Sequence, residues 1–114
     1  MTQAGDIVLF RFPQTDLAEG KLRPALLLKK VPGPYDDWLI CMVSTQLHQQ
    51  IEPLEVIIRS VDPEFEETGL KKSSLIRTSR LAVVDASIFE GKLGALRRSR
   101  LEEVRERIAA WLRS

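Results

Sequence analysis

Hydrophobic and polar residues alternate in short runs along the first two-thirds of the chain, a pattern typical of β-strands. Residues 6–12 (DIVLFRF) show it most clearly, because Val8, Phe10 and Phe12 fall on one face and Ile7 on the other. Further strands are predicted over residues 24–31, 38–43, 54–58, 74–78 and 81–84. The second of these (WLICMV) is apolar on both faces, as expected of a central strand. Their spacing and the short turns between them predict a small antiparallel barrel.

The last segment has a helical period instead. Four apolar residues recur at helical spacing and form one stripe: Leu101, Val104, Ile108 and Leu112. We expect a helix over residues 100–113 whose stripe packs on the barrel or on a second copy of the chain. Ser99 followed by Glu102 is the signature of a capping box at its start. Glu103 and Arg107 are four residues apart in the order that favours an ion pair.

Composition indicates one globular domain over residues 1–114, since 44% of residues are hydrophobic and 29% are charged. No apolar run has the length of a membrane-spanning helix, and the start (MTQAGD) lacks a secretory signal pattern. With one Cys and one His, the chain has no internal disulfide and is not expected to form a Cys/His zinc site. We therefore expect a cytoplasmic protein that uses no metal or other cofactor and does not bind membranes.

The net charge is +1, so binding to a nucleic acid would need a local basic patch rather than a global field. Two stretches carry one sign of charge. Residues 62–67 hold four acids and no base, and residues 92–100 hold four bases and no acid. The simplest interpretation of both is a solvated surface, above all for the acidic one.

Arg23 is the first candidate for chemistry. Pro24 disfavours a helical conformation at Arg23 and fixes it at the start of a strand, near the rim of the barrel. A guanidinium held there suits phosphate, because its planar donors match phosphate oxygens. The alternative is a surface ion pair with Asp16 or Glu19.

A polar group ends the most apolar strand. Ser44, Thr45 and Gln46 follow Val43 and can orient a phosphate or a ribose, or they can simply cap the strand. In a regular strand Ser44 and Thr45 point to opposite faces. His48 is a candidate acid or base by its residue type, but a lone His in a polar loop is more often just exposed. Cys41 lies within the apolar strand and is expected to be a core residue.

Four segments in order resemble the MazF/PemK family of toxin endoribonucleases from type II toxin–antitoxin systems. GDIVLFRFPQTDLAEGKLRPALLL is similar to the family's opening, and MVSTQ to a later strand end. GLKKSSLIR resembles the G-L-x-x-x-S-x-x-R strand, and KLGAL before the helix resembles the family's ending. The resemblance covers almost the whole chain. It implies a mainly β fold with a C-terminal helix, a small SH3-like barrel of the CcdB/MazF type, that works as a homodimer.

The resemblance also implies an activity: metal-independent, ribosome-independent, sequence-specific cleavage of single-stranded RNA through a 2′,3′-cyclic phosphate. Arg23 matches the catalytic Arg, and the catalytic Thr aligns with Ser44, whose neighbour is Thr45. Both hydroxyls stay candidates. Gln46 keeps its place in the motif. Some members read R-x-D in the later strand, but here Thr78 and Ser79 follow Arg77, so that carboxylate is absent.

RNA binding is expected in a groove of the dimer. The candidate contacts, besides Gln46, are Arg11, Lys21, Lys71, Lys72, Ser73 and Arg77. The resemblance further implies a loop over residues 13–20 that gates the groove, and a cognate antitoxin that is acidic or has an acidic tail.

Two other functions are weighed against this one. The same fold could poison DNA gyrase as CcdB does, although the chain ends AWLRS rather than in the Trp-Gly-Ile type of tail that activity uses. It could also be a non-catalytic SH3-like binding module for a protein or nucleic acid.

Overall fold

The structure, a computed structural model, describes residues 2–11 and 21–114. Within these residues the strands are β1 (Asp6–Arg11), β2 (Leu22–Lys30), β3 (Asp37–Ser44), β4 (Val56–Ile58), β5 (Ser74–Asp85) and β6 (Gly91–Ala95). One α-helix, α1, spans Arg98–Arg113. Short 3-10 helices span Leu47–Gln49, Phe65–Thr68 and Ala86–Ile88.

These strands form one antiparallel sheet in the order β4-β5-β3-β2-β1-β6. The sheet curls into a half-barrel with β4 and β6 at its edges, and α1 is the helix at the C-terminal end. The predicted class, a mainly β barrel-type fold with a C-terminal helix, is confirmed. The central position predicted for residues 38–43 is also confirmed, since β3 lies between β5 and β2.

The alternation in β1 corresponds to two apolar clusters, one on each face of the sheet. Ile7 packs into the larger cluster, which includes Cys41 and the buried face of α1. Val8 and Phe10 pack into the smaller one with Ile40. A sheet that buries both faces needs apolar residues on both sides of its central strands. Cys41 is 0% exposed, which confirms it as a core residue; Phe12 lies outside the described residues.

The helix begins at Arg98, two residues before the predicted start. The residue before it, Arg97, is the N-cap and makes no side-chain capping bond. The capping-box prediction is therefore wrong: Ser99 is already inside the helix, and Glu102 accepts from Nη1 of Arg105 at 3.1 Å. The predicted pair of Glu103 with Arg107 is confirmed at 3.2 Å.

Three members of the predicted apolar stripe, Leu101, Val104 and Ile108, are buried against the larger cluster. The fourth, Leu112, in the last turn of α1, is 68% exposed. Trp111 beside it is half exposed. The stripe therefore packs on the sheet over its first three turns only.

Two predicted strands, residues 74–78 and 81–84, are a single strand, β5. The register between β3 and β5 shifts between Cys41 and Met42, which pair with Leu81 and Arg77. A bulge thus accommodates the polar residues that suggested a break between two strands. The predicted strand over residues 54–58 is shorter in the structure, where β4 begins at Val56. Leu54 and Glu55 belong to the preceding loop, in which the Leu54 carbonyl accepts a hydrogen bond from the Thr78 hydroxyl.

The acidic stretch is not simply a solvated surface, which corrects that expectation. Asp62 and Glu64 accept from the guanidinium of Arg100 at 2.9 and 3.0 Å. Glu67 pairs with Arg97. The two one-sign stretches are thus each other's partners, and the pairing attaches the start of α1 to the segment before β5.

Candidate active site

A pocket lies at the end of the sheet where β2 begins and β3 ends. Residues 22–24 and 43–46 form one side of it, and residues 69–71 and 74, with Leu9 and Leu93, form the other. Its volume is about 380 Å³, at the lower end of the roughly 300–1,000 Å³ of small-molecule sites. This β2–β3 pocket collects Arg23, Ser44, Thr45, Gln46 and Lys71 from the predicted site residues.

Arg23 and Ser44 meet here because of the strand register. The pairing of β2 with β3 ends at Ala25 and Met42. Arg23 and Ser44 each lie two residues beyond that pair, and both line the pocket. Because each residue lies two positions from a paired residue, alternation along both strands puts the two side chains on one face of the sheet. An exposed guanidinium and a half-buried hydroxyl therefore border the same small volume.

The hydroxyl of Ser44 is already oriented. Its Oγ accepts the backbone N–H of Gln46 at 3.1 Å, which closes a local turn at the strand end. The O–H of Ser44 remains available to donate into the pocket. Thr45 is exposed, and its carbonyl accepts the N–H of Leu47 at 3.0 Å, but within the described residues its hydroxyl makes no hydrogen bond.

Lysines lie in or beside the segments that line the pocket. Lys71 lines it, while Lys21 and Lys72 are the sequence neighbours of its lining residues, and all three are exposed. Within residues 2–11 and 21–114, neither these lysines nor Arg23 forms an ion pair. The alternative pairing of Arg23 with Asp16 or Glu19, and the predicted gate over residues 13–20, lie outside the described residues.

Other predicted site residues lie away from the pocket lining. Arg11 pairs with Glu90 at 3.2 Å. The hydroxyl of Ser73 accepts the N–H of Ser60 at 2.8 Å, which ties two loops together. His48 is exposed in the 3-10 helix Leu47–Gln49 and is not part of the lining.

Arg77 is held by a carboxylate that the motif comparison did not anticipate. Its Nε donates to Glu55 at 3.3 Å, and its Nη1 donates to the side chain of Gln49 at 2.7 Å. Glu55 is fully buried and also accepts from the N–H of Ile51 at 3.0 Å and the hydroxyl of Ser79 at 2.5 Å. This network ties the loop before β4 to the bulge of β5.

Burial raises the pKa of Glu55, but the hydrogen bonds from Ser79 and Ile51 and the charge of Arg77 outweigh it. The pKa of this carboxyl therefore lies below its ordinary range, and Glu55 stays ionised at neutral pH. Burial raises the pKa of the Cys41 thiol above its ordinary range, in keeping with a core position.

The described residues hold neither a metal-ligand cluster nor a long apolar helix. No three His, Cys, Asp or Glu side chains among them cluster closely enough to hold a metal ion. Among the same residues, no helix combines the length and apolar composition needed to cross a bilayer.

Sequence reasoning missed two features of this region. The first is Glu55, whose signal was a lone acid inside the apolar run LEVII. The second is the apolar wall of the pocket, where Leu22, Leu70 and Leu93 converge from distant parts of the chain. Isolated leucines in loops and edge strands carry no sequence pattern that would have grouped them.

A curled antiparallel sheet with one C-terminal helix, and a pocket that combines an arginine with hydroxyls, define a small barrel-type protein with a polar pocket at one end of the sheet. The model of one family, described as PemK-like, MazF-like toxins of type II toxin–antitoxin systems, matches residues 3–112. The chain belongs to this toxin family, which confirms the resemblance and implies an antitoxin partner. None of the curated proteins compared with the chain matches it.

Proposed function

We propose that this toxin is an endoribonuclease that cleaves single-stranded RNA, chiefly mRNA in the cytoplasm, at specific sequences, without a ribosome or a metal ion. One observation carries the proposal: Arg23, Ser44 and Lys71 line the same small pocket at the end of β2 and β3. The family supports the reaction class, since cleavage of RNA is its typical activity.

The chemistry is an internal transfer at one phosphodiester. The ribose 2′-hydroxyl loses its proton to a base and bonds to the adjacent phosphorus, while the bond to O5′ breaks and O5′ takes up a proton. The products are a 2′,3′-cyclic phosphate and a 5′-hydroxyl end. The protein must hold the 2′-oxygen in line with O5′ and stabilise the charge on the phosphorane oxygens.

Arg23 supplies that stabilisation. Its guanidinium can donate two parallel hydrogen bonds to the non-bridging oxygens, and such fixed donors gain strength as charge develops. The hydroxyl of Ser44, aligned with the family's catalytic Thr, donates to the same phosphate. Thr45 remains the second candidate hydroxyl.

Lysines guide the rest of the strand. Lys71 lines the pocket, and Lys21 and Lys72 come directly before and after lining residues in the sequence. These three lysines are the cations proposed to meet the phosphates on either side of the scissile bond. The predicted contacts of Arg11, Ser73 and Arg77 lie away from the pocket lining and fit a longer groove between two copies.

The homodimer is part of the proposal. The second half of β5 carries exposed apolar side chains, including Leu81 and Val83, which are 37% and 57% exposed. An exposed apolar strand of this kind suits self-association.

The test is cleavage of a long single-stranded RNA in EDTA. We expect fragments with 2′,3′-cyclic phosphate ends, and a rate loss of about 10²- to 10³-fold in Arg23→Ala, the usual cost of removing one transition-state donor. Arg113→Ala is the matched control, because Arg113 is exposed at the far end of α1. Circular dichroism verifies that both variants fold.

Three results would contradict the proposal. An unchanged cleavage rate in Arg23→Ala would contradict the role of Arg23 in stabilising the charge on the phosphorane oxygens. Intact RNA together with trapped gyrase–DNA complexes would instead favour a gyrase poison. Intact RNA without such complexes would leave a non-catalytic binding module.

A further inference from the structure

The β2–β3 pocket is lined by a group of leucines, the leucine wall, in addition to its polar side chains. Four separate segments contribute to it: Leu9 lies in β1, Leu22 in β2, Leu70 in the loop before β5 and Leu93 in β6. Leu22 and Leu93 are 43% and 36% exposed, a large fraction for leucines beside a cluster of cations. A phosphate site alone has no use for such a wall, because phosphate needs donors and water rather than hydrocarbon.

Backbone contacts fix the position of that wall. Gly69 has a left-handed conformation, φ 71°, and a Cβ there would overlap the carbonyl of Leu93. A Cβ on Gly94 would overlap the carbonyl of Glu67 in the same way. The loop before β5 and strand β6 therefore touch backbone to backbone, which holds Leu70 and Leu93 beside the pocket.

The mouth carries an unused amide. The backbone of Gln46 is engaged with Ser44, but its side-chain amide has no hydrogen-bond partner within residues 2–11 and 21–114. A Gln amide offers a donor and an acceptor side by side. That pair matches the edge of a nucleobase, whose donors and acceptors are also adjacent.

We propose that the β2–β3 pocket holds one unstacked nucleobase next to the scissile phosphate, and that Gln46 reads its edge. This inference depends on the proposed RNA cleavage. A base has an apolar face and a polar edge, which is the division between the leucine wall and the mouth. The volume of about 380 Å³ suits one such group rather than several.

The arrangement thereby assigns sequence choice to named residues. Leu70 and Leu93 cover the face of the base, and Gln46 pairs with its edge. The phosphate attached to that nucleotide lies within reach of Arg23. One position of the cleaved sequence is therefore fixed by this pocket, and the other positions are read elsewhere along the groove.

The experiment is sequencing of the cut ends from an RNA pool with randomised sequence. Gln46→Ala, at an exposed position, should lower the preference for one base at one position of the cut site by about tenfold, as expected for loss of a bidentate edge contact. Leu93→Trp, which fills the pocket, should reduce cleavage at the preferred sequence by at least a similar factor. Leu112→Trp, on the exposed end of α1, should leave the cut-site profile unchanged.

The outcomes separate this inference from the proposed function. If the wild-type toxin cuts RNA but both pocket variants, folded by circular dichroism, keep its cut-site profile, the pocket proposal is overturned and the endoribonuclease stands. A second outcome is that the Leu93→Trp toxin keeps the wild-type cut-site profile but is no longer neutralised by co-expressed antitoxin. The pocket would then bind an apolar side chain of the antitoxin, and the proposal is overturned. If the wild type leaves RNA intact, the proposed function itself fails.

Discussion

Among single residues, Ser44 is held in place before any substrate arrives. Its Oγ accepts the N–H of Gln46, so its position is set by the backbone of the next turn. Ser lacks the methyl group that restricts a Thr side chain, and this hydrogen bond restores part of the restriction. The hydroxyl of Thr45 has no comparable contact within the described residues. Ser44 is therefore the better-ordered donor of the two.

Substitution of the two hydroxyls should separate them. We expect Ser44→Ala to reduce the rate of RNA cleavage by roughly 10²-fold, because an oriented transition-state donor is lost. Ser44→Thr should retain most of the activity, since it keeps the hydroxyl. Single-turnover kinetics on one defined RNA measures each rate.

Thr45→Ala and His48→Ala are the companion variants, each expected to lose less than about tenfold. The Thr45 hydroxyl makes no hydrogen bond within the described residues that would orient it, and His48 is not part of the pocket lining. A larger loss in Thr45→Ala than in Ser44→Ala would transfer the role to Thr45. A thousand-fold loss in His48→Ala would make this histidine the acid or base of the reaction.

Among the elements, α1 begins against an electrostatic disadvantage. Arg97, Arg98 and Arg100 stand at its N-terminus, where the helix dipole favours negative charge, and its first turn contains no acid. Asp62 and Glu64 from the preceding segment supply the missing charge through Arg100. Tertiary ion pairs thus replace the local cap that the sequence suggested.

This arrangement predicts losses of stability of different size for the neighbouring residues Ser99 and Arg100. Arg100→Ala should lower the free energy of unfolding by about 1 kcal/mol, because the pairs are partly exposed. Ser99→Ala should cost less than about 0.5 kcal/mol, whereas loss of a true N-cap costs about 1 kcal/mol. Urea denaturation of each variant measures the difference, with Arg98→Ala as the control for an Arg in the same turn that has no ion pair in the described chain.

A loss near 1 kcal/mol in Ser99→Ala would mean that the hydroxyl caps the helix after all. Equal effects of Arg98→Ala and Arg100→Ala would show that the acidic segment contributes nothing to α1.

At the scale of the whole molecule, Glu55 connects parts of the chain that are distant in sequence. It joins the turn at Ile51 to Arg77 and Ser79 on β5, some two dozen residues later. Removing the charge of a fully buried, hydrogen-bonded carboxylate leaves its donors without an ionised acceptor. The ionised form of Glu55 therefore contributes to the stability of the half-barrel.

The sign of the pH dependence follows from the lowered pKa of Glu55. An ordinary Glu in the unfolded chain titrates near pH ~4.3, so the stabilisation is complete above that pH and declines as the pH falls through the folded value. We expect Glu55→Gln to lower stability at pH 7 by about 2 kcal/mol and to flatten the decline between neutral and acid pH. Urea denaturation across that range tests both.

Glu66→Gln is the matched control, because Glu66 is exposed and its side chain makes no ion pair in the described residues. It should reproduce the wild-type curve. A Glu55→Gln curve parallel to the wild type across the whole pH range would contradict a depressed pKa at this position.

Local patterns predicted the fold well because the strands and the helix bury regular faces. The alternation in β1 and the period of α1 both correspond to buried residues. The patterns failed where a tertiary contact decides the structure. The bulge of β5 is tied to Glu55, and the start of α1 is tied to Asp62, over separations that no local period reflects.

The candidate site was partly predictable for a similar reason. Arg23 and Ser44 stand at strand ends next to a Pro and an apolar run, and those positions have local signatures. Their meeting depends on the register of β2 with β3, which only the structure supplies. The leucine wall depends on three-dimensional convergence alone.

The contact between the loop at Gly69 and strand β6 has a consequence for how such toxins diversify. Because two main chains touch there, neither Gly69 nor Gly94 can gain a side chain without displacing its neighbour. Inherited variation in the shape of the cavity must then come from the residues that project into it, Leu22, Leu70 and Leu93 among them. Substitutions of these apolar side chains can therefore change which group the pocket accepts, while the backbone around the pocket stays the same.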